Sequence, residues 1–228
     1  MNKMRNSTKD AARREAAVYR HFSQERKRLR RAVRDMPVPA PWDWARPRIV
    51  PLLAGPHIDP PGQQTIMVAS ELGPALRFGV DLGGVYPLLD ADTAERWEVS
   101  VAQLLDTALT NLSDRAGYLD HSVVRHGTLG GRITTLVSTP DGLASSLVLV
   151  PDHLRRLIGD HDQILAAPTR NQLLAVTPDT STELFASLVI DFELGDPLPL
   201  MLDPFILVGG ELSWGGLADP AADAEDID

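Results

Sequence analysis

The strongest periodic signal lies at residues 98–112 (EVSVAQLLDTALTNL). There Val101, Leu104, Leu105, Ala108, Leu109 and Leu112 recur every three or four positions. That spacing gathers them on one side of a helix, so an amphipathic helix is predicted. Shorter apolar runs surround it. Residues 64–71 and 75–82 are separated by Gly73-Pro74 and read as an antiparallel strand pair. Val123-Val124 and residues 132–138 flank a glycine-rich turn at 127–131, and Asp141-Gly142 marks another turn. Residues 144–158 predict a helix broken near Pro151, or a short buried strand followed by a helix. Residues 163–167 and 172–177 form a hairpin across positions 168–171. A helix is expected over 181–191, with Leu184, Leu188 and Phe192 as its stripe, and a strand or strap over the core at 198–212. Strand pairs interleaved with single helices give an α+β fold, a mainly antiparallel sheet with helices packed on one face.

The N-terminal segment has a different pattern. Residues 7–34 are rich in Ala, Arg, Glu and Lys, with Ser7 or Thr8 available as a cap, and predict one long helix. Its apolar stripe is thin: Tyr19, Phe22, Leu29 and Val33 fall near one side of a charged rod. Pro37, Pro39 and Pro41 end it and form an extended spacer. Trp42 and Trp44 follow, suited to docking the spacer on the body or to lining a ligand cage. The chain therefore divides into a basic helical arm (1–36), a Pro/Trp-rich linker and docking segment (37–62), an α+β body (63–212) and an acidic disordered tail (213–228).

Charge sharpens that division. Residues 1–34 hold 12 of the 22 Lys and Arg but only three acids, Asp10, Glu15 and Glu25. The arm is thus about +9 and the rest of the chain about −18. There is no cysteine, which excludes disulfides, thiolate metal sites and a Cys nucleophile. No apolar run reaches the ~20 residues of a membrane span. The charged N-terminus lacks the apolar core of a secretion signal, so a cytoplasmic protein without membrane contact is expected.

From about residue 49 to 212 the order of elements is distinctive. It opens with IVPLLA, continues through two strands ending in FGVDL and the block LLDADTAERWEVSVAQLLDTALTNL, and then runs through ASSLVLVPDHLRRL and the hairpin AAPTRNQLLAVTP to a proline-rich apolar segment. This order resembles the YtpQ-like bacterial family, an α+β domain of unknown function. The hairpin turn of that family usually reads Pro-x-Arg-Asp; here Pro168-Thr169-Arg170-Asn171 carries an amide in place of the acid. The resemblance implies a cytosolic bacterial protein and brings no known reaction, cofactor or partner. The basic arm lies outside it.

Candidate chemistry is sparse. Arg170, with Asn171 beside it, is the leading candidate, because a guanidinium fork suits carboxylate or phosphate; the competing expectation pairs it with a body acid such as Glu183. In the arm, Arg26, Lys27, Arg28, Arg30 and Arg31 form the densest basic cluster. Asp152-His153 and Asp160-His161-Asp162 hold metal-ligating residue types, yet Gly159 interrupts them. His121 and His126 are expected on opposite faces of a strand. Residues 79–84 (GVDLGG) and 127–131 (GTLGG) are glycine-rich but lack the Lys of a phosphate loop. Ser145-Ser146 is no nucleophile elbow and reads as a cap or buried hydroxyl. The expectation is a non-enzymatic protein-binding or adaptor module, with the basic helix as an accessory contact and no cofactor. The alternatives are a nucleic-acid-associated accessory protein acting through residues 1–34, and a metal-dependent hydrolase at 152–162. Self-association stays open.

Overall fold

In the computed structural model, residues 27, 30, 31, 33, 34, 36–55, 64–70, 73–196 and 199–214 are described. Most of the expected arm helix, including Arg26 and Arg28, lies outside them, as does the tail from 215 onward. Lys27, Arg30, Arg31, Val33 and Arg34 have helical backbone and are exposed.

The chain enters the body through a short helix α1 (Trp42–Ala45) and a single 3₁₀ turn. It then forms β1 (Ile49–Leu53), whose five residues are all buried. This corrects the assignment of IVPLLA to a linker: an apolar run with no polar alternation is a strand covered on both faces. β2 (Met67–Ser70) and β3 (Gly73–Val80) follow, all neighbours antiparallel, in the order β1-β3-β2. β1 is an edge strand, which is where Pro51, with no N–H to donate, is tolerated. The carbonyl of Pro51 accepts from the buried Ser146 hydroxyl at 2.9 Å.

A short helix α2 (Ala91–Arg96) is capped by Asp90, which accepts from Thr93 N at 2.7 Å. The periodic segment becomes α3 (Val101–Gly117), which starts and ends later than its sequence pattern predicts. The start is set by a capping box, Ser100 and Gln103 each accepting from the other's backbone N–H. Leu104, Ala108, Leu112 and Ala116 are the buried row. Leu104 and Ala108 pack on Ile49, Phe78 and Val80, and Leu112 joins Val50, Leu52, Tyr86 and Leu143. The Asn111 amide donates to the carbonyls of Arg46 and Ile49 at 2.7 and 2.8 Å, fixing the helix to the start of β1.

The second half builds a separate six-stranded antiparallel sheet. Its strands are β4 (Val124–Leu129), β5 (Arg132–Val137), β6 (Gln163–Thr169), β7 (Gln172–Val176), β8 (Phe205–Val208) and β9 (Glu211–Trp214), ordered β4-β5-β7-β6-β8-β9. β9 shows that Ser213 and Trp214 belong to the body and not to the tail. Between β5 and β6 the chain makes a 3₁₀ turn (Ser145–Leu149) and then α4 (Pro151–Ile158), with Pro151 at the first position. Helix α5 (Thr182–Gly195) follows β7.

The α+β class holds, but the single sheet with helices on one face does not. Leu165, Leu173 and Ala175 face a core shared with α4 and with Leu53 of β1. Ala166, Leu174 and Val176, one residue out of step, face Phe185 of α5. The six-stranded sheet is therefore covered on both sides, by the rest of the body and by α5. The inward residue of α5 is Phe185, with Leu188 and Phe192 half-buried beside it, while Leu184 is exposed.

Candidate functional site

The β6–β7 hairpin closes at Arg170 and Asn171, and its tip is held against two other loops. Ser145 N donates to the Arg170 carbonyl at 3.2 Å. Gly142 has φ +74°, which favours glycine, and a Cβ built there would stand 2.5 Å from Asn171 Oδ1 and push that amide aside. The turn that carries Gly142 is closed by Leu143 N, which donates to Thr139 Oγ1 at 2.9 Å and to Asp141 Oδ1 at 3.2 Å. The Asp141 carbonyl accepts from the Tyr86 hydroxyl at 2.5 Å.

Tyr86 enters from the loop after β3. Gly79 admits it: a Cβ there would meet both Tyr86 Cβ and Leu52 Cδ1 at 2.9 Å. Asp81 shapes the loop. Its Oδ1 accepts from Gly83 N at 2.8 Å and Gly84 N at 2.9 Å, while Oδ2 pairs with Arg115 of α3 at 2.5 Å. In the glycine-rich GVDLGG segment Gly83 and Gly84 thus spend their N–H groups on Asp81, and those of Val80, Asp81 and Leu82 go to the carbonyls of Pro87, Arg48 and Val85, so these N–H groups are not left for a phosphate. Three loops, 81–86, 139–143 and 169–172, meet around one buried phenol.

The electrostatics follow from that meeting. Burial pushes the Tyr86 phenol far above its ordinary range, Asp81 and Asp141 add to the rise, and Arg115 and Arg170 oppose it. The phenol stays a donor to the Asp141 carbonyl. The Arg170 guanidinium lies over the Tyr86 ring, 5.3 Å from its centroid. Its Nε is buried without a hydrogen-bond partner. Among the described residues Arg170 forms no ion pair; Glu183, the partner expected for it, is an exposed residue in the first turn of α5. Arg170 is held by a ring and leaves donor capacity open.

The other candidate residues lie apart from this corner. Trp42 stacks at a tilt on Trp97, centroids 5.4 Å apart and planes at 51°, and the Trp97 indole donates to the Ala40 carbonyl at 2.8 Å. Trp44 lies under the Arg48 guanidinium at 4.5 Å. Both tryptophans pack against the Ile49–Phe78 cluster, so they fasten the spacer to the body. Asp152 pairs with Arg155, His153 Nε2 meets Ser113 Oγ at 2.9 Å, and Asp162 Oδ1 accepts from Gly209 N at 3.0 Å. Asp152, His153 and Asp162 are turned to separate structural partners, and among the described residues no three His, Asp or Glu side chains are gathered as a metal site needs. Gly127 lies within β4, and the left-handed turn is made by Gly130 and Gly131.

Two associations were invisible in the sequence. Tyr86 is 84 residues from Arg170, and neither carries a motif pointing to the other. His126 and His161 line one open cleft of about 570 Å³, with Thr135, Gln163 and Thr177. His126 Nδ1 meets Thr135 Oγ1 at 3.0 Å, its partner across β4 and β5. The strand pairing could have predicted that pair, but not His161.

Compared with known proteins, the chain matches no family model, no curated protein and no solved structure. Among the described residues no helix is long and apolar enough to cross a membrane.

Proposed function

We propose that the chain is a non-enzymatic, cytosolic protein-binding module whose body takes a single anionic group of a partner protein at the Arg170 corner. The observation that carries this reading is the Arg170 guanidinium, fixed over Tyr86 and unpaired among the described residues. A preset planar fork binds a carboxylate or phosphoryl group with little further ordering of the side chain. The net charge of about −18 on the chain beyond residue 34 narrows the choice of partner. An acidic tract is repelled as a whole, whereas one anion on an otherwise uncharged surface meets Arg170 within a Debye length of about 8 Å. The relationship of residues 49–212 to the YtpQ-like family belongs to the same reading. It is supported by the order of elements and by the hairpin that presents Arg170.

The test uses three labelled peptides whose other residues are uncharged, carrying one phosphoserine, one glutamate or one serine. Each is titrated with the full-length protein near physiological salt, by fluorescence anisotropy. The phosphoserine or glutamate peptide is expected to bind more tightly than the serine control. Arg170→Gln is expected to weaken that binding by about 10-fold or more, the worth of a charge-assisted hydrogen bond. Neutralising Arg26, Lys27, Arg28, Arg30 and Arg31 together is expected to leave the difference intact. Equal binding of all three peptides, or an Arg170→Gln protein that binds like the parent, refutes the proposal.

A further inference from the structure

Helix α5 is apolar on more sides than one buried face requires. Phe185 and its half-buried neighbours cover the sheet and Leu184 reaches the β4–β5 turn at Gly130, yet Ile190 and Leu194 are 51% and 72% exposed. A helix that is apolar nearly all round is normally covered on its outer side as well. The remaining charged residues of α5 are all acidic, Glu183, Asp191 and Glu193, and Asp196 caps its end. No basic side chain stands in the last turn. Acids at a helix C-terminus oppose the macrodipole, so cations brought from another segment stabilise this end. Glu193 is held above the usual carboxylate range by desolvation, against a hydrogen bond from the Met201 backbone that lowers it.

The chain itself contains the complementary surface. The arm joins a thin apolar stripe, Tyr19, Phe22, Leu29 and Val33, to twelve bases. A helix over residues 7–34 would span about 42 Å, twice the ~21 Å of α5. Laid along α5, its stripe would cover Ile190 and Leu194 and its bases would meet the acids. We propose that the protein forms a dimer in which the basic arm of each copy lies on the outer face of α5 of the other.

Exchange between copies is favoured over folding back by where the arm leaves the body. The spacer is fastened at Trp42 and Trp97, in the cluster of Ile49 and Phe78. That strand, through Leu53, packs in the core on one face of the six-stranded sheet, whereas α5 covers the opposite face. An arm starting there has to pass around the sheet to reach its own α5. One helix on a 14-residue neighbour also buries less than the ~1,600 Å² of a stable interface, and reciprocity doubles it. The inference is independent of the Arg170 site.

The absence of cysteine from the chain makes the test clean. Full-length Ser23→Cys and full-length Ser187→Cys, both polar positions, are mixed and mildly oxidised. A disulfide-linked dimer containing one chain of each kind is expected. Sedimentation velocity of the parent chain at micromolar concentration is expected to show a dimer that weakens with salt. The double variant Ile190→Glu with Leu194→Glu is expected to be monomeric, with an unchanged far-ultraviolet circular dichroism spectrum because neither side chain is part of the core of a single copy. A parent chain that is monomeric throughout overturns the proposal. So does a dimer that survives the double variant. A chain carrying both cysteines that closes only on itself shows the arm folding back, and also overturns it.

Discussion

Replacing Tyr86 by Phe deletes one oxygen from the point where three loops meet. The side chain is buried, 6% exposed, and its hydroxyl is the donor to the Asp141 carbonyl. Two costs follow: the net value of the hydrogen bond, about 1 kcal/mol, and a part-buried carbonyl left without that donor, about 1 kcal/mol more. The ring stays, so its packing on Gly79 and beneath Arg170 is retained. The expected loss is about 2 kcal/mol at neutral pH, read from urea unfolding as a lower midpoint at unchanged slope. Alkaline pH supplies a second signature. In the folded parent the phenol is held above its ordinary value, first by burial and then by Asp81 and Asp141. A raised folded pKa contributes stability that is fully present below the unfolded value of about 10. Above that pH the unfolded chain releases the Tyr86 proton while the folded chain keeps it, so stability falls as pH rises. Tyr86→Phe has no such proton, and the gap between parent and variant is expected to narrow as pH passes about 10. A difference below about 0.3 kcal/mol at neutral pH, or a gap that stays constant into alkaline solution, refutes the assignment of Tyr86 as the buried donor.

Two further expectations concern the turns. Gly142→Ala places a methyl 2.5 Å from Asn171 Oδ1 on a backbone at φ +74°. It is expected to cost about 1–3 kcal/mol in the same unfolding assay, and Asn171→Ala in the same chain is expected to recover part of that. Asp179 is held below the usual carboxylate range, first by the Thr177 hydroxyl and then by Arg132. Thr177→Val is expected to move its titration, followed by carboxyl NMR, upward toward the ordinary value, and an unmoved midpoint contradicts that cause. The sign is that of a depressed acid: the stabilising contribution of Asp179 is present above its unfolded pKa and fades as pH falls through the folded one.

Local pattern made the elements legible wherever period and punctuation agreed. The row Leu104, Ala108 and Leu112 announced α3, and the hairpin at Arg170 and Asn171 was marked by an apolar run on each side of Pro168. β1 was misassigned because a six-residue apolar run after a proline-rich segment gives no sign of its partner, and β3 begins 24 residues after Ile49. The stripe of α5 was misplaced for a related reason. When Leu184, Phe185, Leu188, Val189, Ile190 and Phe192 are all apolar, period alone does not say which side turns inward. The division into two sheets, the covering of both faces of the larger one, and the Tyr86–Arg170 contact all depend on pairings between distant segments, and no local window contains them. Arg170 was singled out on its chemistry alone; what it rests on was not visible.

The bond from Ser146 to Pro51 spans 95 residues and joins two buried groups. A ribosome adding about 5–20 residues per second makes Ser146 roughly 5–20 seconds after Pro51. Through that interval Ile49–Leu53 has emerged as a five-residue apolar strand before the segments that cover its two faces. Nascent chains that end before α3 is complete at Gly117 would display it fully, and those stalled between Gly117 and Ser145 still lack the Ser145–Leu149 turn that packs on it, which makes the whole interval one of exposure to holding chaperones. A chain released there ends as an aggregation-prone fragment and not as a smaller folded domain.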